Sequence, residues 1–485
     1  MKRVNRATLW LLLPLALSFM LLNLAPLREG DLGWHLRLGE AMVTERAIPQ
    51  VDRWSVGGAG QAFNAAHSWL ADVVLYLVWR SGGLAALVLL QALVGTATVA
   101  LLLMQLWDRV APPYAALLAL LGFLVLYPFS TARPQIASFW GMALLGWLLD
   151  RWRTRHDEKA LRFVPLVLGL WVNLHGAWSM GMVLLAATGA EGLLRRRPWG
   201  EVLTLARWSA LSLAATLVNP LGLGVYRYLL VMGTSPISQQ YVSEWQPPTL
   251  AQRFTWPFWL ALALALGVGL MRPRRLLSGG VAALLFTLLA LRYVRMIPFA
   301  ALTLLPWLGE HLPVSRAFDA RDAYPYLTRA LLALLVIASL VAVPWVRLAL
   351  GIETLPLLDP YFPAGAVAYL ARVLPAGTGL FTLPEWGGYV IWQLYPQARP
   401  LVDGRVEVAP VAVWEDYLHI ALAKPGWAER LEHYGLRWLL LSRSAHSALI
   451  EAAQAAGWRC VWGDADVRVL VHPEVSVTVE GACRP

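Results

Sequence analysis

The chain has 485 residues, of which 58% are hydrophobic and only 14% are charged. Soluble domains carry about 25% charged residues, so this composition excludes an ordinary soluble protein and predicts an integral membrane protein. The net charge of +10 does not indicate a nucleic-acid-binding protein, because most of the cations lie in short loops between apolar runs. Nearly all of them are arginines, which suit forked contacts to phosphate.

The first apolar run, from about residue 7 to residue 27, has the ~20 residues needed to cross a bilayer. Basic residues precede it, as in an export signal, but no small-x-small cleavage site follows. We therefore expect a retained first span. About eleven helical spans are predicted in all, at 8–27, 83–106, 112–129, 137–150, 162–174, 177–194, 203–219, 256–271, 277–291, 296–310 and 328–350.

The arginines between these spans predict the orientation of the chain. If the N-terminus is cytoplasmic, the basic clusters fall in cytoplasmic loops, as the positive-inside rule requires. We therefore expect a multi-pass protein of the bacterial cytoplasmic membrane, with the C-terminal region outside. The long external loops are 28–82 and 220–255. In the first of them, the apolar spacing from His67 to Arg80 predicts an amphipathic helix lying along the membrane interface.

From about residue 356 the apolar runs shorten to strand length. The expected division is a membrane domain over 1–355 and an extracytoplasmic α/β domain over 356–485, in which strands alternate with helices. No glycine-rich nucleotide-binding spacing is present. Both cysteines, Cys460 and Cys483, fall in this domain, where a disulfide is permitted, and whether they pair is left open. The strands are predicted at 379–383, 400–403, 438–441, 459–462 and 467–471, and the helices at 363–374, 385–395, 411–422 and 445–456.

Asp31 and His35 follow the first span and are four residues apart. A helix would point both side chains to one side, where they could bind a divalent metal or act as an acid that orients an imidazole base. The alternative is that Asp31 merely caps the helix.

His67 and His175 also lie in predicted external loops, and with Asp31 they could form a metal site for a magnesium or manganese ion. An ionisable group at membrane depth, such as His175, is a candidate functional residue. No ligand spacing requires a metal, however, and a lone histidine is more often a hydrogen-bonded structural residue.

Other candidate residues lie in the later external segments. Glu244 stands in a loop of about 35 residues, a length that is usually functional or disordered. Arg292 and Arg295 interrupt an apolar run near its external end, so either snorkelling or a phosphate headgroup must compensate their charge. Arg133 and Arg227 could assist in phosphate binding.

In the α/β domain, paired glycines lie between Trp386 and Tyr389, at a strand-to-helix turn. These aromatic rings could stack on a sugar or grip a peptide. The two rings could equally well pack the domain against the membrane part.

Together these stretches resemble the GT-C membrane glycosyltransferases, in particular the catalytic subunit of oligosaccharyltransferase. Asp31 matches an acid that the family uses on its metal. Val242-Ser243-Glu244 is similar to a motif whose Glu tethers a mobile loop and the acceptor, and Val294-Arg295-Met296 to a segment whose arginine binds the diphosphate of a lipid-linked donor. Glu385-Trp386-Gly387-Gly388-Tyr389 takes the place of the acceptor-reading motif.

The departures from that family are specific. Thr131-Ala-Arg133-Pro134-Gln135 stands where the family has an Asp-x-Glu metal pair, which leaves a metal short of acidic ligands. The Asp of the C-terminal motif is also missing, which argues against recognition of an Asn-x-Ser/Thr acceptor. The sequence also resembles a large set of bacterial multi-pass proteins with Asp-Leu-x-Trp-His-Leu-Arg near the N-terminus.

The resemblance implies an inverting sugar transferase that uses a polyprenyl-phosphate or polyprenyl-diphosphate donor on the external face. Asp31 would bind a metal or act as base, Arg295 would hold the donor phosphate, and Glu244 would help order the loop over the site. The alternative is a non-catalytic module that binds polyprenyl lipid or assembles an envelope complex. A lipid-flipping transporter is less favoured, because no inverted repeat is apparent.

Overall fold

The computed structural model describes residues 6–234, 243–271, 277–312, 314, 317–318, 324–352 and 356–477. The described chain is mainly helical, and a five-stranded sheet lies near its C-terminal end. The helices before the sheet are α1 (Arg6–Leu24), α2 (Leu32–Glu45), α3 (Trp69–Trp107), α4 (Pro112–Leu126), α5 (Gln135–Arg155), α6 (Glu158–Leu161), α7 (Val164–Leu174), α8 (Ser179–Leu194), α9 (Trp199–Ala215), α10 (Gly224–Thr234), α11 (Trp256–Met271), α12 (Gly280–Arg292), α13 (Ile297–His311), α14 (Pro325–Ala342) and α15 (Pro344–Ala349).

A helix lies over each of the eleven predicted spans. Within the described residues, six segments are long and apolar enough to cross a membrane. The other predicted spans coincide with helices that are shorter or less apolar. The polytopic helical character is therefore confirmed, and the count of eleven stays a prediction. The six segments are Arg6–Leu24, Trp69–Trp107, Pro112–Phe129, Gly176–Leu194, Arg253–Met271 and Pro325–Ala342.

Helix α3 has two parts that meet at a kink. Gly82 and Gly83 leave the helical conformation, and Gly83 adopts φ +63°, a value that glycine tolerates because it has no Cβ. The part before the kink begins at Trp69, close to the start of the predicted interfacial helix from His67 to Arg80. The kink therefore separates that predicted segment from the predicted span 83–106.

Two networks of charged side chains lie at opposite ends of α5, one around Arg133 and one around Arg153. Arg133 directly precedes this helix, whereas Arg153, near its C-terminal end, contacts Glu310 at 2.8 Å and Glu191 at 3.5 Å. The 21 residues of α5 span about 30 Å at 1.5 Å per residue, which equals the hydrocarbon thickness of a bilayer. The two networks therefore lie about 30 Å apart along this helix.

The C-terminal part is an α/β unit, as predicted. Its strands are β1 (Thr378–Thr382), β2 (Ala398–Pro400), β3 (Trp438–Ser442), β4 (Arg459–Gly463) and β5 (Val467–Val471). They lie in the order β2-β1-β3-β5-β4; β1 is parallel to β2 and β3, and β5 is antiparallel to β3 and β4. The domain boundary at 356 stays a prediction. The cysteine pair also stays a prediction, because Cys483 lies outside the described residues. The helices of the unit are α16 (Ala364–Val373), α17 (Pro384–Leu394), α18 (Val411–Ala421), α19 (Trp427–His433) and α20 (Ser447–Ala455).

The segment that runs from the loop after α1, through α2, to the loop after α2 joins the α/β unit to the helical part. The backbone N–H of Val56 donates to Pro400 O at 2.8 Å, which extends the edge at β2. At the start of α17 the backbones approach so closely that a Cβ on Gly388 would lie 2.2 Å from Gly30 O, and one on Gly33 would lie 2.1 Å from Gly388 O. Only glycine fits at these contacts.

A buried ion-pair network crosses the same junction. Arg405, from the α/β unit, donates through Nη1 to Asp52 Oδ1 at 2.8 Å and through Nη2 to Asp403 Oδ2 at 2.6 Å. All three side chains are at least 98% buried. Because an unpaired buried charge is very unfavourable, this network fixes the α/β unit against the first long loop.

Candidate active site

Arg133 lies among three carboxylates that come from two segments, the loop after α1 and the segment around residue 244. Its Nη1 donates to Glu29 Oε1 at 2.9 Å and to Asp31 Oδ2 at 3.4 Å, and its Nη2 donates to Glu244 Oε1 at 2.7 Å. Gln135 Oε1 accepts a further bond from Nη2. The structure thus brings together Asp31, Arg133 and Glu244, which are more than 100 residues apart in sequence.

Asp31 is held by its side-chain partners and does not cap α2. It precedes that helix, but its carboxylate forms no capping hydrogen bond. Instead, Asp31 Oδ1 accepts a bond from Trp34 Nε1 at 3.0 Å. The capping interpretation is therefore wrong, and the carboxylate faces Arg133 and the tryptophan.

His35 is oriented by Asp72 and not by Asp31. Its Nδ1 lies 2.5 Å from Asp72 Oδ1, and Ser68 Oγ donates to the other oxygen of that carboxylate at 3.2 Å. Burial lowers the pKa of His35 well below its usual value. The expected pairing of an acid with this imidazole is present, but the acid comes from α3.

The other two predicted histidines lie in the same region, and each already has a partner for Nδ1. His67 Nδ1 lies 2.7 Å from Asn64 O, and its ring stacks on Tyr228. His175 Nδ1 lies 2.8 Å from Ser138 Oγ. Burial lowers the pKa of His175 well below its usual value, and the charges of Arg295 and Arg133 act in the same direction.

The carboxylates and histidines do not fit the predicted magnesium or manganese ion. The acidic side chains nearest one another, Glu29, Asp31 and Glu244, are all bound to Arg133. In the part of the chain that the structure describes, no three His, Cys, Asp or Glu side chains are grouped so that they could hold a metal. Metal binding by Asp31, His67 and His175 therefore stays a prediction without geometric support.

Arg295 contacts Trp245, the residue that follows Glu244. The Arg295 guanidinium carbon is 4.5 Å from the ring centre of Trp245. The N–H of Val294 donates to Gln246 O at 2.9 Å, which joins the two segments by their backbones. Burial raises the pKa of Glu244, but the charges of Arg133 and Arg295 outweigh it, so the pKa is lowered and the group is ionised.

Arg292 and Arg227, the two other predicted phosphate ligands, are exposed. Arg292 is exposed and its guanidinium carbon lies 5.0 Å from the ring centre of Tyr293. Arg227 is an exposed residue of α10. Phosphate binding by Arg292 and Arg227 stays a prediction.

An apolar cavity of about 430 Å³ leads to the cluster from between α3, α5 and α7. Among the described residues that line it, Arg133 is the one charged side chain. Apolar walls with few polar groups are typical of sites for hydrophobic ligands. The other lining residues are Ala71, Val74, Leu75, Leu90, Leu93, Val94, Ala97, Pro134, Ile136, Ala137, Trp140 and Leu174.

Trp386 and Tyr389 lie in the core of the α/β unit. They are 2% and 7% exposed and belong to one apolar cluster with Phe362 and Leu370. These contacts and the close approach at Gly388 support the packing alternative. Sugar or peptide binding by the two rings stays a prediction.

Sequence reasoning missed four residues of this region: Glu29, Asp72, Tyr228 and Glu407. Burial raises the pKa of Glu29 from 4.5 to about 6, and burial also raises the pKa of Glu407, with Asp31 contributing in the same direction. A signal was available for Asp72, because a carboxylate in an apolar helix requires a partner. No local pattern marks Glu407, which reaches the site only through the docking of the α/β unit.

Comparison with known proteins identifies the fold. No protein-family profile matches the sequence, and no curated protein does. Among solved structures, the chain is similar to the archaeal oligosaccharyltransferase AglB from Archaeoglobus fulgidus in complex with an inhibitory peptide and a dolichol-phosphate, with 11% identity, a TM-score of 0.56, and coverage of 89% of this chain and 69% of that one. Another structure of the Archaeoglobus enzyme, with a TM-score of 0.54, holds zinc and sulfate.

Two further similar structures cover nearly all of this chain. ArnT from Cupriavidus metallidurans bound to undecaprenyl phosphate has 14% identity and a TM-score of 0.56, with coverage of 96% of this chain and 97% of that one. The arabinofuranosyltransferase AftD from Mycobacteria has 17% identity and a TM-score of 0.57, with coverage of 97% of this chain and 42% of that one. The structural neighbours are GT-C glycosyltransferases, and this chain shares their fold.

Proposed function

We propose that this protein is a membrane glycosyltransferase that moves a sugar from a polyprenyl-phosphate or polyprenyl-diphosphate donor to an acceptor on the external face of a bacterial cytoplasmic membrane. The observation that carries the proposal is the apolar cavity that leads from between the helices to Arg133 and its carboxylates. A long apolar tail would fill such a cavity, and Arg295, which lies over Trp245 beside the cluster, offers a cation for an anionic headgroup.

In this proposal Arg295 binds the donor phosphate. Arg133 already donates to four side-chain oxygens, so its guanidinium serves mainly to position the carboxylates. Arg295 lies next to them on Trp245 and has the forked geometry that suits phosphate. Its positive charge would also stabilise the phosphate that leaves as the bond to the sugar breaks.

Asp31 is proposed as the base that removes the proton from the acceptor hydroxyl. Its carboxylate is held by Trp34 and Arg133, and the backbone of Gly404 lies against it, since a Cβ on that glycine would be 2.0 Å from Asp31 Oδ1. The site therefore lies where the helical part and the α/β unit meet. An acceptor entering along that junction would reach Asp31, which is not among the residues that line the cavity.

The ligands of the similar structures support the donor class. AglB was solved with a dolichol-phosphate and ArnT with undecaprenyl phosphate. Both ligands combine an isoprenoid tail with a phosphate. At this level of identity the similarity establishes the fold, and the donor is inferred from the cavity and the arginines of this chain.

The test uses the purified protein in lipid nanodiscs with undecaprenyl phosphate carrying a radiolabelled hexose or pentose. With water as the acceptor hydroxyl, its proton passing to Asp31 and undecaprenyl phosphate leaving, we expect release of the free sugar, and a loss of about 100-fold in that rate for Arg295→Ala, the scale of losing one group that stabilises transition-state charge. Arg207→Ala is a matched control, because Arg207 also lies over a tryptophan, Trp208, but outside the site. Asp31→Asn should abolish transfer while undecaprenyl phosphate still binds.

Two outcomes would contradict the proposal in different ways. Binding of undecaprenyl phosphate with the labelled donor left intact would favour the non-catalytic lipid-binding module. Equal binding and transfer in wild type, Asp31→Asn and Arg295→Ala would remove this site from the reaction altogether.

A further inference from the structure

The three carboxylates around Arg133 require a cation at their centre. Glu29, Asp31 and Glu244 come from two loops that are distant in sequence, and each has an oxygen within 3.4 Å of an Arg133 nitrogen. Carboxylates so close to one another repel and would take up protons or bind a cation. In many proteins a divalent metal ion fills such a position.

Arg133 is built into that position by the surrounding backbone and side chains. Its N–H donates to Thr131 O at 2.8 Å, and Thr131 Oγ1 donates to Glu29 Oε2 at 3.0 Å. Its side chain is 13% exposed. Burial alone would lower the pKa of Arg133, but the charges of Glu244, Glu29 and Asp31 raise it above the usual value, so the cation is permanent.

We infer that Arg133 is an internal replacement for a divalent metal ion: its guanidinium gathers Glu29, Asp31 and Glu244 into one site, and the site works without a bound divalent ion. All three carboxylates of this chain are bound to the arginine, so their oxygens already have a cationic partner. Arg133 is thus a positioning residue for Asp31 and Glu244.

The inference predicts that removing the arginine exposes a latent metal site. Arg133→Ala frees three carboxylates from their common counterion, so that their side chains can turn toward one cation, and oxygen ligands of that charge favour a hard divalent cation. A merely structural arginine would not produce this result. The inference concerns the site of the proposed function, but metal binding tests it without any sugar donor.

The experiment measures Mn²⁺ binding to the full-length protein in detergent, by electron paramagnetic resonance and calorimetry. Wild type should bind no Mn²⁺ that depends on Asp31, whereas Arg133→Ala should bind one ion at least about tenfold more tightly than wild type, since affinity follows the number of charged ligands. The double variant Arg133→Ala with Glu244→Gln should lose that gain. Arg133→Lys, which keeps the charge, should not acquire it.

Stoichiometric Mn²⁺ or Zn²⁺ binding by wild type that is lost in Asp31→Asn would overturn the inference. This comparison does not depend on whether Arg133→Ala folds. A folded Arg133→Ala variant that binds Mn²⁺ no better than wild type would overturn it as well. If the metal results are as expected but no donor is consumed, the inference holds and the proposed reaction fails, so the two failures are distinguishable.

Discussion

The indole N–H of Trp34 donates to Asp31 Oδ1 at 3.0 Å, and the same indole lies 3.5 Å from the His35 ring, centre to centre. The buried pair of His35 and Asp72 therefore holds Trp34, which in turn holds the proposed base. The pair of Asp31 and Trp34, at the start of α2, is connected in this way to Asp72 of α3.

Trp34→Phe tests this connection, because it keeps the ring and removes the N–H. A hydrogen bond to a charged group contributes about 1.5–3 kcal/mol, so we expect kcat for sugar transfer to fall by about 10-fold or more with KM unchanged. Steady-state kinetics with the labelled donor measure both constants. Trp259→Phe removes a similar bond, to Thr255 at 3.1 Å outside the site, and should leave kcat as in wild type; an equal loss in both variants would show a general packing effect.

The raised pKa of Glu29, about 6, predicts that donor binding depends on pH. Burial disfavours the carboxylate, so Glu29 is neutral below about pH 6 and charged above it. As the pH falls through 6 the cluster loses one negative charge, and affinity for undecaprenyl phosphate should rise about fivefold, on the order of 1 kcal/mol. Calorimetry between pH 5 and pH 8, as a working range of about three units, measures this change.

Glu29→Gln is the control for that measurement. The ligand phosphate titrates equally with both proteins, so the difference between the two curves isolates Glu29. The variant should bind with the low-pH affinity throughout. Parallel curves for wild type and Glu29→Gln would show that this carboxyl does not titrate near pH 6.

Filling the apolar cavity should block the lipid tail. Ala137 lines the cavity, and Ala137→Phe places a ring where the tail would lie, so we expect undecaprenyl phosphate binding to weaken by about 10-fold or more, given about 0.8 kcal/mol for each buried methylene that loses its contact. Native mass spectrometry measures bound lipid. Ala263→Phe, at an exposed position of α11, makes the same change elsewhere and should bind lipid normally.

Arg405 should be essential to the junction between the helical part and the α/β unit. Arg405→Ala leaves the buried carboxylates of Asp52 and Asp403 without their partner, and breaking a buried pair costs about 3–5 kcal/mol. Thermal unfolding in detergent should show a clearly lower Tm. Arg437→Ala, which breaks the exposed pair with Glu474, should cost under about 1 kcal/mol; an equal shift in both variants would contradict the role of the network.

The sequence predicts the helices of this protein better than it predicts the contacts within the site. Helices such as α4 and α11 follow from apolar composition, because a membrane helix satisfies its own backbone hydrogen bonds and needs no distant partner to form. The strands of the α/β unit were also predicted to within a few residues, although the second one begins earlier, at Ala398. The sequence also assigned the loops that contain Asp31 and Glu244 to one external side, and the structure brings both carboxylates to Arg133.

The exact pairings within that boundary required the tertiary structure. Asp31 was expected to share a face with His35, but the partner of His35 is Asp72, 37 residues further on. Trp386 was a candidate for sugar stacking, whereas the close approach of Gly388 to Gly30 explains why that segment is rich in glycine. Such contacts depend on the docking of two units, for which no local spacing provides a signal.

The sequence by itself determined that the chain is a polytopic membrane protein with an α/β unit near its C-terminal end, because composition and apolar run length act locally along the chain. Only the tertiary structure decided that Arg133 occupies the centre of the carboxylates. In the sequence Arg133 was one more arginine beside a span, and its role comes from charges contributed by residues 29, 31 and 244, whose interaction depends on distance in space and not on separation along the chain.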